Sequence, residues 1–196
     1  MKNILLILVL LLGATTAPAQ LIKPKAPIDA KYLAGAVPEE NGKVVFSREI
    51  EIPASVNADS VNLLMNRWIG KYYNQSKVLK RVKESDDSDK YYHEVGIVQY
   101  ITFKSTAFVL DRTQIIYRLS VRQQGRKLLL RMTDISYYYN EESNPEKFTA
   151  EELITDEAAL KHNKKDLVRK IAKFRIKTID TFDEISHDMI RFVNSI

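Results

Sequence analysis

The sequence predicts an α+β domain in the order β-α-β-β-β-β-α, an antiparallel sheet with helices packed on one face. Three observations carry this prediction: a two-residue apolar alternation before Pro53, a helix-period apolar stripe from Val61 to Tyr72, and long β-branched and aromatic segments followed by a second stripe. A striped helix and a half-apolar sheet each need cover, and stacking one on the other supplies both.

Val44, Phe46, Ile50 and Ile52 alternate with Val45, Ser47, Glu49 and Glu51, the period of a half-buried strand that Pro53 closes. Arg48 falls on the apolar side and is its one mismatch. From about Ala58 the period becomes helical, with Val61, Leu64, Met65, Trp68, Ile69 and Tyr72 on one face and Asn57 placed as N-cap. Trp68, the only tryptophan, sits mid-stripe, where a large ring anchors a helix on a sheet. Strands are then expected over Lys77 to Lys83, Tyr92 to Lys104, Val109 to Gln123 and Lys127 to Tyr139, with Glu84 to Lys90 a polar turn. Val109, Thr113, Ile115, Tyr117, Leu119 and Val121 share one side of the third, and the Gly125 turn makes it a hairpin with the fourth. In that last strand Leu128, Leu130 and Met132 compete with Leu129, Ile135 and Tyr137 for the buried side, and alternation alone does not choose. Asn140 to Thr155 reads as a polar loop, and a helical segment follows between about Asp156 and Lys173. Thr181 to Glu184 has the spacing of a capping box opening a final helix striped by Phe182, Ile185, Met189, Phe192, Val193 and Ile196.

Ahead of the domain, a Lys2 start, the apolar run Ile4 to Leu12 and small residues up to Ala19 have the layout of a secretory leader. The run is shorter than the about 20 residues a bilayer-spanning helix needs. Cleavage is expected after Ala19, because a cut after Ala17 would leave Pro18 just past the scissile bond. The expected organisation is a signal peptide over 1–19, a Pro-rich linker over 20–30 carrying Pro24 and Pro27, and one domain over 31–196. The sequence has no cysteine, which excludes a lipid-bearing cysteine, disulfides and thiol chemistry. The expected location is therefore periplasmic or extracellular, without lipid anchor or further membrane span.

Chemistry-bearing motifs are absent: no Gly-rich phosphate loop, no zinc-protease His pair, no nucleophile elbow and no cofactor fingerprint. The three histidines, His93, His162 and His187, fall on separate predicted elements. Asp86 to Asp89 lacks the glycine and the distal carboxylate of a calcium loop and reads as a solvated turn. The net charge of +5 is mild, and export argues against nucleic acid. Two features suit binding. Lys161 to Lys177 is densely basic, with Lys164, Lys165, Arg169, Lys170, Lys173, Arg175 and Lys177 able to meet an anionic surface. Its interleaved Leu167, Val168, Ile171, Phe174 and Ile176 also fit a segment lying on the domain with its charges outward. Tyr137, Tyr138 and Tyr139, with Tyr91, Tyr92 and Tyr100, offer a rim of rigid amphipathic rings of which alternation lets at most half line one groove, Tyr137 and Tyr139 being the pair expected to bind.

Lys31 to Pro53 (KYLAGAVPEENGKVVFSREIEIP), the helix around Trp68, Tyr117 to Tyr139 (YRLSVRQQGRKLLLRMTDISYYY) and the late words AEELITDEAAL and KFRIKTIDTFDEI resemble an exported bacterial family of unknown function with a TBP-like fold. The resemblance spans roughly residues 31 to 195 and implies a β-α-β₄-α fold, with no catalytic residues to carry over. Folds of this type serve DNA binding in one lineage and apolar-ligand binding in another.

The resulting expectation is a non-catalytic exported module that holds an envelope protein, a small apolar ligand or an anionic surface on a sheet face or in the crevice beside the last helix. An enzyme working through carboxylates and tyrosine is the other class left open. Intact mass of protein recovered from the envelope should place the mature N-terminus at Gln20; a mass that retains residues 1–19 would remove the basis for export.

Overall fold

The computed structural model describes residues 27–57, 60–73, 78–84 and 92–195. The expected leader, linker residues 20–26, the Asn74-Gln75-Ser76 match to a glycosylation sequon, the acidic turn at Asp86 to Asp89, Tyr91 and Ile196 lie outside the described residues.

A short hairpin comes first, β1 (Glu39–Glu40) and β2 (Lys43–Val44). Its turn is Asn41-Gly42, both at positive φ, the two-residue geometry that matches strand twist. Then follow β3 (Phe46–Glu51), α1 (Val61–Tyr73), β4 (Val78–Glu84), β5 (Tyr92–Ser105), β6 (Leu110–Gln124), β7 (Lys127–Tyr139), β8 (Glu146–Thr149), the single turns α2 (Ala150–Leu153) and α3 (Asp156–Ala159), and the 23-residue α4 (Ala172–Asn194). The main sheet is antiparallel in the order β3-β7-β6-β5-β4, with β8 also pairing with β7. This agrees with the predicted order and adds β8 and the short turns.

The alternation decides which side is covered. Thr113, Ile115, Tyr117, Leu119 and Val121 of β6 are buried as expected, and so are Val95, Ile97, Gln99 and Ile101 of β5. Val109, expected to share that side, is exposed in the β5–β6 turn. Competition between the two sets in β7 resolves through a bulge. Arg118 pairs with Thr133 but Ile116 with Ser136, so β7 carries one extra residue there, and Asp134 lies at φ 51°. Leu128, Leu130 and Met132 point inward before the bulge, Ile135 and Tyr137 after it, and only Leu129 points the other way. Arg48 does lie on the covered side, where its Nη2 reaches Asp183 Oδ1 at 3.2 Å.

Both helices pack on this one side. Trp68 is 0% exposed, stacks on Tyr72 and donates from Nε1 to Asp188 of α4 at 3.0 Å. Phe182 lies against Phe46, and Phe174 meets Tyr137 edge-on. The polar centre of this core is Tyr72, Tyr117 and Gln99: one hydroxyl donates to the other across 2.9 Å, and Gln99 Oε1, 3.4 Å from Tyr72 and 3.3 Å from Tyr117, accepts the remaining proton.

Several boundaries differ from the sequence reading. The first strand is broken at Val45 into β2 and β3. Helix α1 starts at Val61 rather than Ala58, with the Ser60 N–H donating to the Asn57 carbonyl. The segment after Asn140 holds β8 and α2, and the true capping box is Thr149 with Glu152. Between Asp156 and Lys173 only Asp156–Ala159 is helical before the final helix; a turn closed by a Leu160–Leu167 bridge follows. The final helix opens nine residues before Thr181, whose hydroxyl instead donates back to the Lys177 carbonyl at 2.8 Å. Its first turns hide from a search for apolar periodicity because Arg175 and Thr178 occupy inward positions.

Arg175 is 0% exposed. Its Nε donates to the Tyr32 carbonyl (2.7 Å), Nη1 to that of Ile154 (2.6 Å) and Nη2 to that of Leu33 (2.5 Å) and to Asp156 Oδ1 (2.7 Å). Asp156 Oδ2 in turn accepts from the Gly35 N–H at 2.7 Å.

Two substitutions test this packing by urea denaturation. Trp68→Ala should cost about 3–5 kcal/mol, the range for removing a large buried aromatic. Arg175→Ala should cost about 3–5 kcal/mol, because it strands Asp156 and three backbone carbonyls, whereas Lys164→Ala should stay within about 0.5 kcal/mol.

Candidate functional site

Helices on one side leave the other side of the sheet without cover among the described residues. It is formed by the alternate positions, Tyr92, Glu94, Val98 and Tyr100 on β5, facing Arg122, Ser120, Ile116 and Gln114 on β6. Beyond these come Leu129, Arg131, Ser136 and Tyr138 of β7, then Lys147 of β8. Such a row of half-exposed residues follows from the same period that builds the core.

Cations lie over tyrosine rings along this surface. The Arg112 guanidinium is 4.0 Å from the centre of the Tyr100 ring, Arg122 is 4.8 Å from Tyr92, and Lys147 is 5.9 Å from Tyr138. Arg118 bridges Glu94 (3.6 Å) and Asp134 (3.1 Å), and Arg131 meets Glu40 at 2.7 Å. Burial, then the hydrogen bond to Glu94, pushes the Tyr92 hydroxyl up to about 12, so it acts there as a neutral donor. A hollow of about 400 Å³ lies between Gln114, Ile116, Ser136, Tyr138 and Lys147.

The residues singled out from sequence separate into three groups. Tyr137 and Arg175 are buried and take no part in a surface. Strand alternation turns Tyr137 under α4, where its hydroxyl meets Thr178 Oγ1 at 2.6 Å and burial raises its pKa; Arg175 is consumed by the contacts already described. Tyr139 and Lys173 come together. Lys173 Nζ donates to Asp111 Oδ2 (2.8 Å) and to the Tyr139 hydroxyl (2.7 Å), and that hydroxyl donates to Asp111 Oδ1 at 2.9 Å. Rings of Phe103, Tyr139 and Phe174 surround the ammonium. Burial works against this charge, but Asp111 and Tyr139 outweigh it and the pKa is raised, which keeps Lys173 protonated and non-nucleophilic. Lys164, Lys165, Arg169 and Lys170 are exposed in the turn before α4, and Lys177 is half-buried on α4. A sheet face and the rings of Tyr92, Tyr100 and Tyr138 were among the sequence expectations; the arginines that accompany them, alternating through β6, were not.

The expected crevice beside the last helix survives only as a notch of about 460 Å³ between α4 and the end of β5. Its charges already answer one another: Lys31 meets Asp180 at 2.8 Å, which raises the lysine pKa, and Arg48 holds Asp183. His93 is on β5, His162 in the turn and His187 on α4; among the described residues no three metal-ligating side chains come together. No helix among them is long and apolar enough to cross a membrane.

Residues 46–138 match the family model described as a domain of unknown function (DUF4468) with TBP-like fold. A crystal structure of a DUF4468 family protein from Bacteroides ovatus superposes with a TM-score of 0.72 at 36% identity, covering 85% of this chain and 95% of that one. A TBP-like protein from Parabacteroides distasonis shares the fold, with a TM-score of 0.64 at 18% identity over 81% of this chain and 97% of that one. Comparison with curated proteins gives no match. By identity, coverage and fold together, the chain belongs to the DUF4468 family of TBP-like domains.

Proposed function

We propose that this protein is an exported, non-catalytic binding module of the cell envelope, periplasmic or extracellular, that takes a partner protein on the open side of its sheet. One observation carries the reading: arginines and tyrosines are stacked in pairs on a broad surface that no described element covers. Arginine and tyrosine are the side chains that concentrate binding energy, because they bring large contact area and directed donors at modest entropic cost. Arg112, Arg118 and Arg131 are met there by Glu142, by Glu94 with Asp134, and by Glu40, so the surface is mixed in charge and offers a partner rings and guanidinium planes rather than a net positive field. The secretory layout of residues 1–19 supports the location.

Quantitative pull-down from envelope extract with the mature chain tests it. Tyr138→Ala and Arg122→Glu should each weaken retention by about tenfold or more, as expected for the anchors of an interface. Lys164→Ala and Arg169→Ala should change it by less than about twofold. The reverse pattern would move the binding surface to the turn before α4. Turnover that a single Asp, Glu or His substitution eliminates would make the protein an enzyme.

A further inference from the structure

The turn between α3 and α4 carries cations that no carboxylate answers. Lys161, Lys164, Lys165, Arg169 and Lys170 are all exposed, and none has an ion pair among the described residues. Elsewhere the pattern is the opposite: Arg48, Arg118, Lys127, Arg131, Lys173 and Arg175 each have a carboxylate within 3.6 Å. The acids nearest in sequence do not reach the turn's cations. Asp166 is half-buried with its Oδ2 on Asn163 at 3.0 Å, and Glu157 of α3 is exposed and meets none of them. Like charges gathered in this way repel one another, and a polyanion relieves the repulsion.

The backbone holds these charges in place. The Lys161 N–H donates to the Asp166 carbonyl and the Val168 N–H to that of Ala159, both at 2.8 Å, so Lys164 and Lys165 stand at the tip of a small hairpin based on the buried pair Leu160 and Leu167. Asn163 Oδ1 accepts from the N–H groups of Lys165 (3.0 Å) and Asp166 (3.2 Å). Lys164 itself has φ 57°. The other non-glycine residues at positive φ among those described are Asn41, Asp134 and Asn140, types that tolerate this region. Glycine would occupy position 164 without strain, so the lysine is kept at a cost in backbone energy. Strain maintained by the surrounding structure points to a use for the side chain.

The composition of the turn selects the partner. Protein interfaces are poor in lysine and centre on aromatic and arginine anchors, whereas all but one of these cations are lysines and residues 160–170 contain no Phe, Tyr or Trp. Firm docking on a bilayer takes an apolar group as well as charge, and the leucines of the turn are buried. Lysine ammoniums are point charges on flexible stems that meet single anionic groups one at a time. A chain bearing such groups in series supplies them and gains from counterion release. We infer that the turn over residues 161–170 binds an acidic polysaccharide, a chain with sulfate or carboxylate on successive sugars, and that Lys164 and Lys165 are at the centre of the contact. This is independent of the partner protein proposed for the sheet.

Heparin, which bears both sulfate and carboxylate, serves as the probe for the mature chain, with neutral dextran beside it. Heparin should bind and dextran should not, with an affinity that falls as salt is added. The double variant Lys164→Gly/Lys165→Ala should weaken binding by about tenfold or more and lower the slope of log affinity against log salt by about two. Its thermal transition should be unchanged or higher, because glycine removes the strain at position 164. The charge-matched control Lys43→Ala/Lys104→Ala, at exposed positions on β2 and β5, should change binding by less than about twofold. Equal losses in the two double variants, or no binding of heparin, overturn the inference. In direct competition, phosphatidylglycerol vesicles or duplex DNA that displace heparin and depend on the same two lysines would overturn it in favour of a lipid surface or a nucleic acid.

Discussion

The Arg175 guanidinium joins three separated parts of the chain at one point. It ties the last helix to the carbonyls of Tyr32 and Leu33, 143 and 142 residues away, and to the α2–α3 junction at Ile154 and Asp156. A buried charge costs several kcal/mol to desolvate, and it is tolerable only where every donor finds an acceptor. The chain around it is arranged to that end: the short 3₁₀ turn Ala30–Tyr32 and the break between α2 and α3 each present carbonyls that no helix has claimed. Helix α4 has no side-chain cap at its start, and Lys173 and Arg175 lie at the end of the macrodipole that disfavours cations. What fixes the start of the helix is therefore tertiary, through Asp111 for Lys173 and Asp156 for Arg175.

From that anchoring comes the one-sidedness of the molecule. Once α4 is held along the sheet beside α1, with Trp68 bonded across to Asp188, both apolar stripes are spent on a single side. The opposite side is open, and the sequence there is written accordingly, with Arg112, Gln114, Arg118, Ser120 and Arg122 alternating against the core residues of β6. Tyr72 and Tyr117 are held neutral by burial, the first pushed up to about 12, and share Gln99, whereas Tyr100 and Tyr138 lie under cations and remain within reach of solvent. Core and open surface are thus two readings of one alternation.

Strand positions and the α1 stripe were legible because a single period governs each: Trp68, Met65 and the odd positions of β6 fall where the pattern puts them. The miscarried parts are those in which a polar group does the work of an apolar one. Arg175 and Thr178 break the α4 stripe while occupying its inward side, so the helix seemed to begin two turns late. Thr181 with Glu184 and Thr149 with Glu152 have the same spacing, and only the second opens a helix; the difference lies in whether the preceding residues are already helical, which spacing does not encode. Of the suggested binding residues, Tyr137 is buried because the bulge, which alternation does not reveal, turns it to the same side as Leu128 and Leu130, and Arg175 is buried because its charge is spent on carbonyls and Asp156 inside the fold. The Asn41-Gly42 hairpin could have been read directly from its dipeptide.

The extra residue at Asp134 also divides the outer edge of β7 between two tenants. Positions 127–132 receive β3 and positions 136–139 receive β8, on either side of the irregularity. Each tenant therefore meets a strand in its own phase, and the sheet incorporates two segments separated by about half the domain without either dictating the other's alignment. For the history of such a chain this means that length changes in β7 are never local. Gaining or losing one residue on either side of the slip would turn a whole half-strand over, exchanging what faces the core with what faces the solvent, while a paired change straddling it would pass unnoticed.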